Sequence, residues 1–232
     1  MSEQIFDSYV ENAFGEFKQA EFKFHQFDHN YLPIFPKQNA KVLDIGIGRG
    51  EMLSSMKRWG HDYHGIDISP STIKYCKSID LSCELVEDTA TWLLNHENQF
   101  DVITLLDVLE HVPRDHTIDF VKALHKALKP GGKLIVQVPN LQAPDGQLQH
   151  HNDFTHVSGF IEHSLAQVLQ VGGFNEFEFH AFEGFTQGNF KETIKKCLRF
   201  FFWKWVRFTR AINGNINPTI LTPVFYSVAK KN

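Results

Sequence analysis

Residues 42–53 read VLDIGIGRGEML, and the fold turns on how this stretch is interpreted. An apolar run ends in Asp44, glycines stand at positions 46, 48 and 50, and a segment with helical spacing begins at Glu51. Glycine is required where a backbone turns tightly and approaches a ligand with no Cβ in the way. The spacing is G-x-G-x-G, and Glu51 stands where the dinucleotide fingerprint G-x-G-x-x-G has its last glycine. A carboxylate in the first turn opposes a pyrophosphate at that helix end and suits a ligand carrying positive charge. By itself the loop is also compatible with a purely structural strand-to-helix turn.

Outward from this loop the pattern alternates. The short apolar runs AKVLDIG, DYHGIDI, CELVE, FDVITLL and KLIVQVP read as strands. Between them GEMLSSMKRWG, PSTIKYCKS and DHTIDFVKALHKALKPGG carry helical periodicity. Strands alternating with helices predict a doubly wound, mostly parallel α/β sheet. A polar, histidine-rich loop runs from Asn140 to about Gly159, followed by a helix IEHSLAQVLQVGG and two more strands, FNEFEFHAF and TPVFYSVAKK. Before the loop, Phe6, Tyr9, Val10, Ala13, Phe14 and Phe17 share one helical face, so residues 1–37 read as a helical arm and 38–232 as the domain.

The acidic residues strengthen the reading of the glycine loop. Asp67 closes the second strand, Asp88 the third, and Asp107, Glu110 and His111 follow the fourth. All lie at strand C-termini, the edge where open α/β sheets bind ligands. Asp67 is placed to accept the protons of two ribose hydroxyls.

With 232 residues, 42% of them hydrophobic, the chain can bury one sizeable core. A net charge of -4 gives no global attraction to nucleic acid. The three cysteines, Cys76, Cys83 and Cys197, are odd in number and lack CxxC spacing, which favours a reducing, cytoplasmic setting. The N-terminus has acidic residues where a signal peptide is basic, and no run reaches the ~18 apolar residues of a membrane span.

With these motifs in this order, the sequence resembles the class I S-adenosylmethionine-dependent methyltransferases over about residues 38–180 and the last strand. The resemblance implies a Rossmann-like, seven-stranded sheet with an antiparallel final hairpin and S-adenosyl-L-methionine as cofactor. It also implies that Asp44, Gly46, Ile47 and Gly48 hold the methionine moiety and Asp67 the ribose. Ile68 would pack on adenine, Asp88 would read its amino group, and Leu106 would line the site. A nicotinamide dehydrogenase is opposed by Glu51. A nucleic-acid amino methyltransferase is opposed by the fourth strand, which reads LLDVLEH and lacks an Asn/Asp-Pro-Pro-aromatic pattern.

Methyl transfer mainly requires aligning a nucleophile with the sulfonium, and a hydroxyl acceptor also gains from a base near neutral pKa. His111 is one candidate. The loop LQHHNDFTHVSGF supplies His150, His151, Asp153 and His156, with His151 or His156 as base and Asp153 orienting it. The competing reading is a loop whose histidines satisfy backbone groups. No metal is assigned, because the loop lacks a second carboxylate-rich partner segment. Its Asp-x-Thr-His pattern is similar to bacterial methyltransferases associated with glycans and the cell envelope, which implies a sugar hydroxyl, free or lipid-linked, as acceptor. The alternatives are a non-sugar metabolite such as a quinone precursor, or a non-catalytic scaffold that binds the cofactor.

CLRFFFWKWVRFTR, residues 197–210, stands apart. Ile194, Leu198, Phe201, Trp205, Phe208 and Ile212 form an apolar stripe on one helix within an insertion at 189–213, with Lys195, Lys196, Arg199, Arg207 and Arg210 on its other faces. The pattern suits a peripheral contact of residues 190–212 with the inner face of an anionic membrane. A substrate lid or a homodimer contact competes with it.

Overall fold

The computed structural model describes residues 18–184, 190–214 and 219–232. In chain order the elements are α1 (Glu21–Asn30), a 3-10 turn (Leu32–Ile34), β1 (Lys41–Ile45), α2 (Glu51–Arg58), β2 (Asp62–Asp67), α3 (Pro70–Ser78), β3 (Cys83–Leu85), α4 (Thr89–Leu94) and β4 (Phe100–Leu106). A second 3-10 turn (Leu109–His111) leads to α5 (Arg114–Ala127), β5 (Leu128–Pro139), α6 (Gly146–His151), α7 (Glu162–Val171), β6 (Glu176–Ala181), α8 (Phe190–Ile212) and β7 (Val224–Lys230).

The seven strands form one sheet in the order β3-β2-β1-β4-β5-β7-β6. The first five are parallel, while β7 runs antiparallel to both β5 and β6. The chain winds outward from β1 in one direction through β2 and β3, then returns to start in the other at β4. That reversal opens a crevice beyond the carboxyl ends of β1 and β4, where such sheets bind ligands.

Side chains alternate across the strands and feed two cores. On β5, Leu134 and Val136 join Phe120, Val121 and Leu124 of α5 and Leu165 and Leu169 of α7, whereas Ile135 points to the other face. There it meets Phe27 and Tyr31 from the α1 segment, Leu53 and Met56 of α2, and Ile73 of α3. Leu53 and Met56 are fully buried, each worth about 1.5–3 kcal/mol relative to exposure.

The described part of the expected N-terminal arm packs on this sheet face. The Tyr31 hydroxyl donates to Gln137 on β5, and its ring meets Tyr226 of β7 edge-on at 5.1 Å. Asn30 exchanges hydrogen bonds with the backbone of Glu183 at 2.9 and 3.0 Å. Residues 5–17, read as a helix from their periodicity, lie outside the described residues.

Two short helices, α4 and α6, occupy stretches with too few residues to carry a full amphipathic period. The insertion is helical as expected. Its stripe is exposed along its length, from Ile194 at 44% to Phe201 at 67% and Ile212 at 66%. Arg207 and Arg210 tie the helix back through the carbonyls of Thr219 and Gln142. Among the described residues, no helix is long and apolar enough to cross a membrane.

Candidate cofactor and acceptor site

β1 ends in a buried Asp44 whose Oδ1 accepts a 2.5 Å hydrogen bond from the Thr104 hydroxyl on the neighbouring β4. Burial pushes the Asp44 carboxyl up to about 8 against that hydrogen bond, with Asp67 and Glu51 adding repulsion. The loop that follows holds all three glycines at positive φ: 74° at Gly46, 50° at Gly48 and 71° at Gly50. A Cβ at Gly46 would lie 2.3 Å from Cγ2 of Val108, in the turn after β4. A Cβ at Gly48 would meet nothing within 4 Å. The first glycine therefore lets the β1 loop close onto the β4 turn, and the second leaves open space above the backbone for a ligand.

Glu51 does not face that space as a free carboxylate. It is buried, pairs with Arg49 at 3.1 Å, and accepts a hydrogen bond from the backbone N–H of Ala20 at 3.3 Å. Gln19 donates to the Arg49 carbonyl and the Ser54 hydroxyl, so the segment before α1 fastens the loop from outside.

Asp67 ends β2 beside the loop. Burial raises its carboxyl to about 6, and the backbone N–H groups of Ser69, Gly48, Ile47 and Ile68 oppose that rise. Ile47 is buried, while Ile68 is 41% exposed, an apolar side chain left on the rim. Asp88 caps α4, accepting from the Thr91 N–H at 3.0 Å and its hydroxyl at 2.6 Å. These bonds hold the Asp88 carboxyl below its ordinary range. Leu106, half-buried, closes β4 on the opposite wall. Together these groups fit a ligand with a cationic amino-acid end, a diol and a flat base: an open glycine cradle, a half-buried carboxylate one strand away, and an apolar rim.

Immediately after Leu106 comes Asp107, a non-glycine residue at φ 54°. Conformations of this kind concentrate at functional sites. Its carboxylate accepts from Gln137 Nε2 at 2.9 Å, completing a chain from Tyr31 through Gln137. The following 3-10 turn presents Glu110, only 1% exposed, with neither carboxylate oxygen hydrogen-bonded. Burial, and then the nearby charge of Asp107, pushes its carboxyl well above the ordinary range.

The histidine loop folds back onto this turn. Val157 and Ser158 donate their backbone N–H groups to the Glu110 carbonyl at 2.9 and 3.0 Å. His156 Nε2 then lies 3.8 Å from Glu110 Oε1, and its Nδ1 is 3.0 Å from the His150 carbonyl. Asp153, expected to orient His151 or His156, instead accepts from the N–H and hydroxyl of Thr155, at 2.8 and 2.6 Å. The Thr155 oxygen is in turn 2.8 Å from His111 Nδ1. The imidazole that Asp153 reaches through Thr155 is thus His111. His151 sits at the exposed end of α6, its ring 5.0 Å from that of His150.

Two segments 45 residues apart, by the numbering of His111 and His156, meet here with rings 4.7 Å apart. Sequence reasoning named both histidines but missed Glu110 and Thr155 as their neighbours, and Gln137 as the partner of Asp107. A separate depression of about 390 Å³, lined by residues such as Arg114, Gln167 and Val171, lies between α5 and α7.

A family model described as a methyltransferase domain matches residues 19–177. The chain belongs to that family. Its fold is shared with a SAM-dependent methyltransferase from Archaeoglobus fulgidus, at TM-score 0.72 and 20% identity over 96% of this chain and 98% of that one. It is likewise shared with the 1,6-didemethyltoxoflavin-N1-methyltransferase of Burkholderia thailandensis, at TM-score 0.62 and 17% identity over 99% of this chain and 86% of that one. The Idiomarina loihiensis protein named ubiquinone biosynthesis O-methyltransferase is 31% identical over 170 residues, 62% of this chain and 68% of that protein. A Xanthomonas oryzae protein of the same name is 35% identical over 109 residues, 44% of each chain. The chain therefore spans less than half of the latter. The Burkholderia thailandensis structure holds 1,6-didemethyltoxoflavin and S-adenosylhomocysteine.

Proposed function

We propose that this methyltransferase transfers a methyl group from S-adenosylmethionine to a phenolic hydroxyl of a quinone precursor. Support comes from the two relatives named for ubiquinone biosynthesis O-methylation. The structural observation that carries it is the cluster of Glu110, His111 and His156 beside the cofactor crevice, a proton-accepting set suited to activating a hydroxyl. The sugar hydroxyl expected from the glycan-associated resemblance gives way to this reading, because two relatives are named for ubiquinone biosynthesis.

In this reading Asp44, Gly46, Ile47 and Gly48 cradle the amino-acid end, Asp67 takes the ribose hydroxyls, and Ile68, Asp88 and Leu106 surround the adenosine. The cofactor supplies an electrophilic methyl on sulfonium sulfur. The protein aligns the acceptor oxygen with it and removes the hydroxyl proton.

The exposed stripe of α8 is the second element of the proposal. Its aromatic residues, with Lys204 over the Phe200 ring at 4.5 Å and Arg199 over Trp203 at 5.9 Å, form a surface suited to an anionic bilayer. A hydrophobic quinone precursor would be met there. One assay tests both parts: methyl transfer to a catechol carrying an isoprenoid-like chain, presented in phosphatidylglycerol vesicles, against a soluble saccharide. Catechol methylation is expected, several-fold faster with vesicles, and the vesicle effect should vanish in a Lys195→Glu/Arg199→Glu variant. Saccharide methylation alone would refute the acceptor, and a rate indifferent to vesicles would refute the bilayer contact.

A further inference from the structure

We propose that the depression between α5 and α7 is a second ligand site, built for a small apolar molecule that carries one carboxylate. Its volume is about 390 Å³, near the lower end for small-molecule pockets, so it suits a single ring or a short chain and not a long isoprenoid tail. None of the residues that line it belongs to the glycine loop, to Asp67 or Asp88, or to the Glu110, His111 and His156 cluster. The site is therefore separate from the cofactor crevice, and it does not depend on which acceptor is methylated.

Charge is the first observation. Arg114, in the first turn of α5, is the one cation among the described residues that line the depression, and no acidic residue is among them. No carboxylate pairs with Arg114 among the described residues. Other arginines of the chain have such partners: Arg58 forks onto Asp28 at 2.7 and 2.8 Å, and Arg49 meets Glu51 at 3.1 Å. A guanidinium is a planar fork that matches a carboxylate through two parallel hydrogen bonds. One guanidinium balances one negative charge, which favours a carboxylate over a phosphate monoester with its charge of about -1.5 to -2 at neutral pH.

The second observation is a buried hydroxyl. Ser158 is 4% exposed, stands in the wall of the depression, and its Oγ has no hydrogen-bond partner. A buried hydroxyl in that state is costly, and a carboxylate oxygen supplies the acceptor it lacks. The other hydroxyls of the wall are already engaged: Thr117 donates to the Pro113 carbonyl at 3.0 Å and Ser164 to the Ile161 carbonyl at 3.2 Å. The backbone at Ser158 is not free to shift in search of a partner, because its N–H is fixed to the Glu110 carbonyl at 3.0 Å.

Apolar side chains complete the site. Phe160 is buried, Val168 is half-buried against the core, and Val171, 61% exposed, forms the rim with Ile118 of α5 opposite. A ring or short chain laid on these side chains, with its carboxylate at Arg114 and Ser158, answers the unpaired charge and the unpartnered hydroxyl together.

The test uses the full-length protein at pH 7 with benzoate and octanoate as probes, benzamide as the uncharged analogue of benzoate, and inorganic phosphate as the alternative anion. In a methyl-detected NMR titration, either acid should give saturable shifts at Ile118, Val168 and Val171 and none at Ile47 and Ile68 of the cofactor crevice. Benzamide and phosphate should bind at least tenfold more weakly than benzoate. Arg114→Gln, a change to an exposed side chain, should weaken benzoate at least tenfold. Ser158→Ala should weaken it several-fold without lowering the thermal midpoint, since it removes a hydroxyl that has no partner. Lys122→Gln, which removes a cation elsewhere on α5, should change nothing. Shifts confined to Ile47 and Ile68, equal benzoate affinity in wild type and Arg114→Gln, or no saturable binding of either acid would overturn the site. Phosphate bound as tightly as benzoate would overturn the carboxylate assignment.

Discussion

Gly46→Ala is expected to lower the thermal midpoint by about 10 °C, whereas Gly48→Ala costs only a few degrees yet blocks the cofactor. Both glycines have positive φ, 74° and 50°, so any L side chain there costs about 1–2 kcal/mol. The difference lies in what the new methyl meets. At Gly46 it comes 2.3 Å from Val108 Cγ2, and at Gly48 it meets nothing within 4 Å. Forcing a methyl into packed surroundings adds about 1–3 kcal/mol, and a chain of this size loses about 2–4 °C per kcal/mol. Scanning calorimetry of both variants, with S-adenosylmethionine titration of each, separates the effects. Equal midpoints would mean that the closure of the β1 loop onto the β4 turn is not what Gly46 provides.

Asp67→Ala is expected to weaken S-adenosylmethionine binding about 100-fold or more. Hydrogen bonds to an ionised group contribute about 1.5–3 kcal/mol each, and two ribose hydroxyls fall to one carboxylate in the proposed mode. The same residue sets a pH dependence. Its carboxyl is raised from 3.8 to about 6 by burial, so without cofactor the folded chain holds the proton more tightly than the unfolded one. The stability this gives is fully present below 3.8 and is lost as pH rises through 6. Cofactor affinity runs the opposite way, because the ribose hydroxyls need an acceptor. Binding should tighten at least tenfold from pH 5 to pH 7.5 in the wild type, with Asp44 adding to the rise towards pH 8, and Asp67→Asn should lose the component centred near pH 6. A wild-type affinity that weakens with rising pH would exclude the ionised carboxylate as the ribose partner.

The sheet was legible because its elements are long relative to their periods: the central strands are continuous apolar runs, and α5 offers fourteen residues of amphipathic pattern. The glycine loop and the acidic strand ends were legible for a related reason. Gly46, Gly48 and Asp67 are local features at strand ends, and parallel topology carries strand ends to one edge. The contacts of the histidine loop were only half legible. His111, Asp153 and His156 are visible one by one, but their pairing depends on backbone bonds from Val157 and Ser158 to Glu110, which join segments far apart in the chain. Asp153 looked like a partner for a neighbouring histidine because proximity in sequence suggests it. The Thr155 hydroxyl intercepts that carboxylate and passes the contact to His111. On α8 the apolar stripe was correctly placed by periodicity, but periodicity cannot say what covers a stripe, and the fold leaves it exposed.

The most direct measurement is a crystal structure of the protein with S-adenosylhomocysteine. The ribose hydroxyls should rest on Asp67, the amino-acid end should lie over Gly46 and Gly48, and the sulfur should face the Glu110, His111 and His156 cluster. A thioether sulfur turned away from that cluster, or a nucleoside bound off the β1 and β4 edge, would contradict the assignment of one continuous site.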